Sequence, residues 1–301
     1  MRLLSIPLML AVAVSARAQF SPDFLMSQFP RVEFMRNPAA AGIVPGNNFH
    51  LFSRNDLPTP YSSGQFNYFA ASFDGANDSS QLGLGILAFF VREIAFGTLN
   101  EPFNAYTTAF DGAFSYSTPL SSDVSFRLGG TIGLRVKTVP IYPIGNNLQG
   151  VDSRVIPAIG FGMMLVSDRF RAGVAAYNLT NPTITFDHVP QVRLNESRLY
   201  IAQVSFIAYE DAVWVIEPAA ALKVKQAIRR PVADVAVLGR FANKVLFGAG
   251  LRGGDIARPY ANLQLGAIIG DVEIAVSYDI PIVESGVVAL KYVEATLGVT
   301  L

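Results

Sequence analysis

The sequence predicts an all-β chain: a transmembrane antiparallel β-barrel of about fourteen strands behind a cleavable signal peptide. Three observations carry that prediction. The 301 residues are 51% hydrophobic and only 15% charged, with a mean hydropathy of +0.35, where an average soluble domain carries roughly 25% charged residues. Beyond residue 18 no run of 18 consecutive apolar residues occurs, and the longest candidate, 155–166, is interrupted by Pro157, Gly160 and Gly162. Spanning helices are therefore not expected. Finally, apolar and polar residues alternate with a period of two over segments of about ten to fifteen residues.

The chain divides into a leader at 1–18, an N-terminal periplasmic or plug segment at 19–47 and an outer-membrane barrel at 48–301. In the leader, Arg2 precedes the apolar stretch 3–14, and Ala16-Arg17-Ala18 has the small-x-small form of a cleavage site. A stretch of twelve residues falls short of the ~20 needed for an anchor. Removing Arg2 and Arg17 leaves 21 basic and 23 acidic residues, a net charge of −2, which lacks the positive excess of a nucleic-acid binder. The absence of cysteine excludes disulfide scaffolds, Cys-ligated zinc and thiol catalysis.

In the barrel region, Val124, Phe126, Leu128, Ile132, Leu134 and Val136 share one face, and Ser125, Arg127, Thr131, Arg135 and Lys137 the other. Tyr106, Thr108, Phe110, Phe114 and Tyr116 oppose Thr107, Asp111, Ser115 and Ser117. The same division runs through 271–280 and 292–301. A soluble sandwich would alternate too, but its strands cluster near five or six residues, whereas membrane strands need roughly nine to eleven. Aromatics near segment ends (Tyr61, Phe89, Phe90, Tyr106, Tyr116, Phe170, Tyr209, Tyr260, Tyr278, Tyr292) suit an interfacial girdle.

Fourteen segments result: 48–54, 63–73, 81–92, 105–117, 124–138, 155–167, 170–177, 198–209, 212–226, 232–240, 244–253, 260–269, 271–280 and 289–301. An even count suits a bacterial outer-membrane barrel. Alternate connections are mostly short (74–80, 119–123, 168–169, 210–211, 241–243, 270–271) and mostly long (55–62, 93–104, 139–154, 178–197, 227–231, 254–259, 281–288). That is the asymmetry of periplasmic turns and external loops.

The inward faces carry Arg127, Arg135, Lys137, Arg171, Glu217, Lys223, Lys225, Arg252, Asp271, Glu273 and Glu294. A wetted lumen with paired charges and a pore whose basic side chains select a substrate both fit these residues. Enzymatic chemistry has little support. The only histidines are His50 and His188. Neither His188 beside Asp187 nor the nearby Ser197 forms a triad or nucleophile-elbow pattern. No cofactor fingerprint or metal spacing appears.

Segment 19–47 matches no strand. It is too aromatic for a free tail, with Phe20, Phe24, Phe29 and Phe34 leading into Asn37-Pro38-Ala39-Ala40-Ala41-Gly42. Pro38 favours an extended Asn37, and Gly42 permits a sharp turn. A plug or docking element is expected here.

These residues bring a resemblance into view. Ser27-Gln28-Phe29 and Phe34 to Gly42 resemble the opening motif of the PorP/SprF family, outer-membrane proteins associated with the type IX secretion system of Bacteroidetes. Similar positions follow in order: Leu82-Gly83-Leu84-Gly85, Leu128-Gly129-Gly130, Tyr177-Asn178-Leu179 with Pro182, and Glu217-Pro218 through Lys223. Arg230-Pro231 with Asp234, Gly248 to Arg252, and Val276-Ser277-Tyr278-Asp279-Ile280 complete the series. The family's His-Glu-aliphatic sequence in the last strand is matched only by Val293-Glu294-Ala295, and the chain ends in Leu301 rather than an aromatic.

The resemblance implies a non-enzymatic barrel without cofactor, acting in export and surface anchoring of large adhesins and linked to gliding motility. Its implied partners are a secreted adhesin's C-terminal domain, a periplasmic peptidoglycan-binding (OmpA-like) protein and outer-membrane lipid, with no nucleic acid. External loops bearing Asn146, Asn147, Asn181, His188, Arg193, Arg229, Arg230 and Arg258 would form the docking rim. Asn-Pro-Ala also occurs near the N-terminus of FadL-like barrels, so a diffusion barrel for small solutes is the alternative reading.

Overall fold

The computed structural model describes residue 28 and residues 33–57, 67–76, 81–96, 102–141, 150–187, 193–226, 231–254, 259–282 and 291–301. The leader at 1–18, Phe20, Phe24, Phe29 and Tyr61 lie outside the described residues. So do Asn146, Asn147, His188, Arg229, Arg230 and Arg258 of the expected rim.

The strands are β1 (Asn47–Leu57), β2 (Asn67–Ala76), β3 (Leu82–Phe96), β4 (Pro102–Pro119), β5 (Val124–Ile141), β6 (Gly150–Ser167), β7 (Phe170–Tyr177), β8 (Thr183–Thr185), β9 (Arg193–Asn195), β10 (Leu199–Phe206), β11 (Tyr209–Glu210), β12 (Trp214–Lys225), β13 (Pro231–Phe241), β14 (Val245–Gly254), β15 (Tyr260–Ile269), β16 (Val272–Pro281) and β17 (Lys291–Thr300). Fourteen of them close into one antiparallel barrel. The long strands pair in chain order, β10 bridges β7 and β12, and β1 pairs with β17 from Asn48↔Thr300 to Leu57↔Lys291. Strands β8 and β9 form a separate hairpin, and β11 extends the turn before β12. No helix among the described residues is long and apolar enough to cross a membrane. Closure leaves no unpaired sheet edge, which is what a spanning sheet requires.

The alternation sorts residues as lipid and lumen demand. Leu84, Phe110, Phe114, Ile132, Leu134 and Leu265 face outward and exposed, whereas Thr107, Asp111, Ser115, Arg127, Arg135 and Lys137 are buried inside. Three aromatics expected in the girdle are corrected. Phe89, Tyr260 and Tyr292 face the lumen and are buried, while Phe90, Tyr116, Phe170 and Tyr209 face outward. Neighbouring strand residues point to opposite faces, so Phe89 and Phe90 cannot both reach lipid.

Several strands outrun their expected ends. Pairing of β5 with β6 continues to Ile141↔Gly150, across positions expected in a loop. The alternation runs on there, with Val139 buried inside and Val151 exposed outside. The short turns all lie at the end that carries Asn47 and Thr300. One of them, Phe241 to Lys244, has positive φ at both Ala242 and Asn243, the conformation that a twisted two-residue hairpin prefers.

Candidate functional site

The lumen is where the sequence-predicted charges and the N-terminal segment meet. Along one half of the inner wall a chain of polar groups passes from strand to strand. Lys223 Nζ on β12 lies 2.7 Å from Asp234 Oδ2 on β13, and Arg252 Nε on β14 donates to Asp234 Oδ1 at 2.6 Å. Arg252 also faces Asp279 of β16 at 3.9 Å, and Asn262 of β15 donates to the same carboxylate at 2.7 Å. Arg54 of β1 binds Asp279 at 2.8 Å and pairs with Glu294 of β17. Its guanidinium also lies 4.1 Å from the centre of the Tyr292 ring.

Every member of this belt is buried. Buried ions must find partners or lose several kcal/mol each to desolvation, and strand register supplies them here: Asp234 is directly opposite Arg252, Asn262 opposite Asp279, and Arg54 opposite Glu294. Across the lumen, Arg135 donates to Asp111 at 2.5 Å and lies 4.7 Å from the centre of the Phe89 ring.

The N-terminal segment sits inside this wall. A single helical turn, α1 (Glu33–Arg36), leads through Asn37 into a 3-10 turn at Pro38–Ala40. Asn37 is extended, with φ −148° and ψ 114°, as the following proline requires. Its side-chain oxygen accepts from Ala39 N–H at 3.0 Å and caps the turn. Its amide donates to the backbone carbonyls of Met163 and Val174 at 3.2 and 3.3 Å, bridging β6 and β7. Arg127 donates to Ala39 O at 2.9 Å and to Ala41 O at 2.7 Å, and Ser115 Oγ donates to Ala41 O at 2.7 Å. Gly42, at φ +64°, turns the chain out and donates its N–H to Asp74 at 2.7 Å.

Upstream, Arg171 donates to Glu33 at 3.1 Å. Burial nevertheless raises the Glu33 carboxyl above its ordinary pKa, with Arg171 opposing. Gln28 reaches the opposite wall, where its backbone N–H donates to Glu294 at 3.1 Å and its side-chain Oε1 accepts from Thr296 at 2.8 Å. Gln28 thus contacts β16 and β17, whereas the turn at Pro38–Ala40 lies against β4, β5 and β6.

From the long-loop end a second element enters. The β8–β9 hairpin buries Ile184 and Phe186 against Ala105, Val139 and Ile156 on the inner wall. Glu196 just beyond it pairs with Lys137, and Arg154 holds Asp187 at 2.5 Å. Burial pushes the Glu196 carboxyl up, but the Lys137 cation, with Lys225 and Arg135 behind it, outweighs this and holds it below the usual range.

Gln28, Phe34, Asn37, Pro38 and Gly42 of the expected plug are all buried within the barrel. Of the expected lumen charges, Arg127, Arg135, Lys137, Lys223, Arg252 and Glu294 are buried, and Glu217 and Glu273 half-buried. Asp271 is corrected: it lies exposed in the turn before β16 rather than inside. On the expected rim, Asn181 is exposed, with φ +41°, and the Arg193 side chain lies outside the described residues. Arg54, Asp74 and Glu196 were missed. The parity of β1, which turns Asn48, Phe52 and Arg54 to one face, was the available signal for Arg54. Residues far apart in sequence, Gly83, Gly129, Lys223, Asp234, Arg252 and Asp279, converge on this one lumen. Among the described residues no cluster of His, Asp and Glu could hold a metal ion.

Comparison with solved structures shows the same fold. The toluene transporter TbuX of Ralstonia pickettii superposes with a TM-score of 0.54 at 11% identity, covering 88% of this chain and 92% of that one. A Pseudomonas aeruginosa FadL homologue gives 0.55 at 12% identity, covering 95% and 97%. The Pseudomonas putida toluene transporter TodX gives 0.51 at 10%, covering 88% and 91%. At such identities the likeness concerns the fold alone. Among curated proteins no sequence matches. The sequence does match a family model, that of the type IX secretion system membrane protein PorP/SprF, over residues 18–298. The protein is therefore an outer-membrane β-barrel, and it belongs to the PorP/SprF family of the type IX secretion system.

Proposed function

We propose that this barrel is a non-enzymatic docking component of the type IX secretion system. In this reading its external rim holds the C-terminal domain of a secreted adhesin, and its short periplasmic turns contact a peptidoglycan-binding protein. One observation supports the reading above the alternative: the described lumen is occupied from both ends, by residues 33–43 on one side and by Ile184, Phe186 and Glu196 on the other. A lumen filled by anchored protein suits a scaffold that presents surfaces. A diffusion barrel for small solutes needs a path, and here one would require the N-terminal segment and the hairpin to move. The inner-wall charges, paired with one another, act as the fastening of a rigid wall rather than as a selective pore.

Co-isolation tests the proposal. The purified barrel should retain an adhesin C-terminal domain and show little conductance in a planar bilayer. Deleting residues 19–43 should raise conductance or weaken partner recovery. A barrel that conducts solutes freely and recovers no adhesin domain overturns the docking reading.

A further inference from the structure

Inward-facing glycines on four strands trace the outline of the N-terminal segment. A Cβ placed on Gly83 of β3 would overlap the Ala41 carbonyl, and one on Gly85 would meet the Phe34 ring at 2.5 Å. On Gly129 of β5 it would strike Ala39 and Pro38, and on Gly162 of β6 the Asn37 side chain and Pro38. On Gly173 of β7 it would lie 2.6 Å from the Asn37 amide. At these five positions the wall has no side chain beneath the segment. The segment in turn is small where it is enclosed: Ala39, Ala40 and Ala41 each have 0% exposure.

The wall also reads the segment's backbone. Arg127 and Ser115 supply donors for two of its carbonyls, Asp74 accepts the Gly42 N–H, and two strand carbonyls receive the Asn37 amide. Such a surface, with steric gaps and matched hydrogen-bonding groups, has the attributes of a ligand site. Its connection to the barrel is slight, since Val44 and Pro45, between the segment and β1, are exposed.

We propose that the glycine-lined inner wall is a peptide-binding site, occupied in cis by the chain's own residues 33–43. Its ligand class is a short peptide with Asn-Pro followed by small residues and glycine. The attachment at residues 44–46 supplies proximity and is not what holds the segment in place. This inference is independent of the docking of an adhesin.

The test uses the full chain with a flexible loop carrying a protease site inserted between Val44 and Pro45, cut only after the barrel has folded in detergent. Native mass spectrometry then reads whether the N-terminal fragment stays with the barrel. Retention through dilution is expected. Immediate loss of the fragment, or unfolding of the barrel on cutting, overturns the proposal.

A second arm measures sequence specificity. After the fragment is stripped in mild urea, a synthetic peptide of residues 28–46 should rebind. The same peptide carrying Ala40→Leu should bind at least about tenfold more weakly, because the enclosed site has no room for the larger side chain. Equal binding of both peptides, or of neither, overturns the proposal.

Discussion

Substituting Asp234 by leucine tests whether the inner-wall belt holds the barrel together. The carboxylate sits 2.7 Å from Lys223 Nζ and 2.6 Å from Arg252 Nε, and all three side chains are no more than 5% exposed. At an effective dielectric of 20, each contact has a gross attraction of about 6 kcal/mol, most of it offset by the desolvation of the ions. Taking away one partner forfeits the attraction but not the desolvation, so the expected loss is about 3–5 kcal/mol. With a urea m-value of about 2–3 kcal/mol/M, the unfolding midpoint in lipid vesicles falls by about 1–2.5 M. Trp214, the single tryptophan, reports the transition by fluorescence. A companion variant, Lys223→Met with Asp234→Leu and Arg252→Met, removes the cations as well and should lie near the parent or above it. In that variant Arg54 still holds Asp279. The reasoning fails if Asp234→Leu alone shifts the midpoint negligibly, or if the triple variant loses as much as the single one.

Other expectations follow from the same geometry. Phe186→Ala removes the most deeply enclosed aromatic of the hairpin, at 1% exposure, and should cost that contact about 3–5 kcal/mol; faster proteolysis within 183–195 in the folded barrel would report it. Glu196 is held below its ordinary pKa of 4.5 by Lys137, so its contribution to hairpin docking is complete above that pH and is lost as the pH falls through the depressed value. A spin label on Thr185→Cys should therefore become more mobile as the pH is lowered from 7 to below the ordinary carboxylate range, and Glu196→Gln should abolish the pH response. Leu134 faces outward at 54% exposure near the middle of β5; Leu134→Lys should cost about 2–4 kcal/mol of folding into lipid, measured by the same urea titration.

The strands were legible because a period of two is a local property. Each outward residue must be apolar on its own account, so 124–138 declares itself without reference to any partner strand. What lies inside the barrel depends on register instead. Arg54 meets Glu294 because β1 and β17, at opposite ends of the chain, align at those two residues. Phe89, Tyr260 and Tyr292 carry the same terminal-aromatic signal as true girdle residues, and only strict parity separates Phe89 from Phe90. The hairpin at 183–195 read as loop because its strands have three residues each, too few for a periodic pattern. The N-terminal segment was legible as buried, from four phenylalanines in a stretch that alternates nowhere, but its position against β3, β5, β6 and β7 was not.

The inner glycines suggest why that position can be inferred in hindsight. A closed barrel widens with its strand number, and the space enclosed by fourteen strands exceeds what eight leave for side chains alone to fill. Something must occupy the excess: water, or protein. Where protein does so, the wall beneath must give up its own side chains, and glycine in a strand interior weakens that strand. Gly83, Gly85, Gly129, Gly162 and Gly173 all bear that cost on the face turned to the insert, and all five meet it when a Cβ is added. By contrast, the inward-facing Gly250 and Gly266, at the far side of the barrel, meet only atoms of the adjoining strands. What distinguishes the five is therefore not that they face inward but that a Cβ there would strike the insert. Among the 25 glycines of this chain, those five mark a filled lumen, which agrees better with a scaffold that presents its rim than with an open conduit.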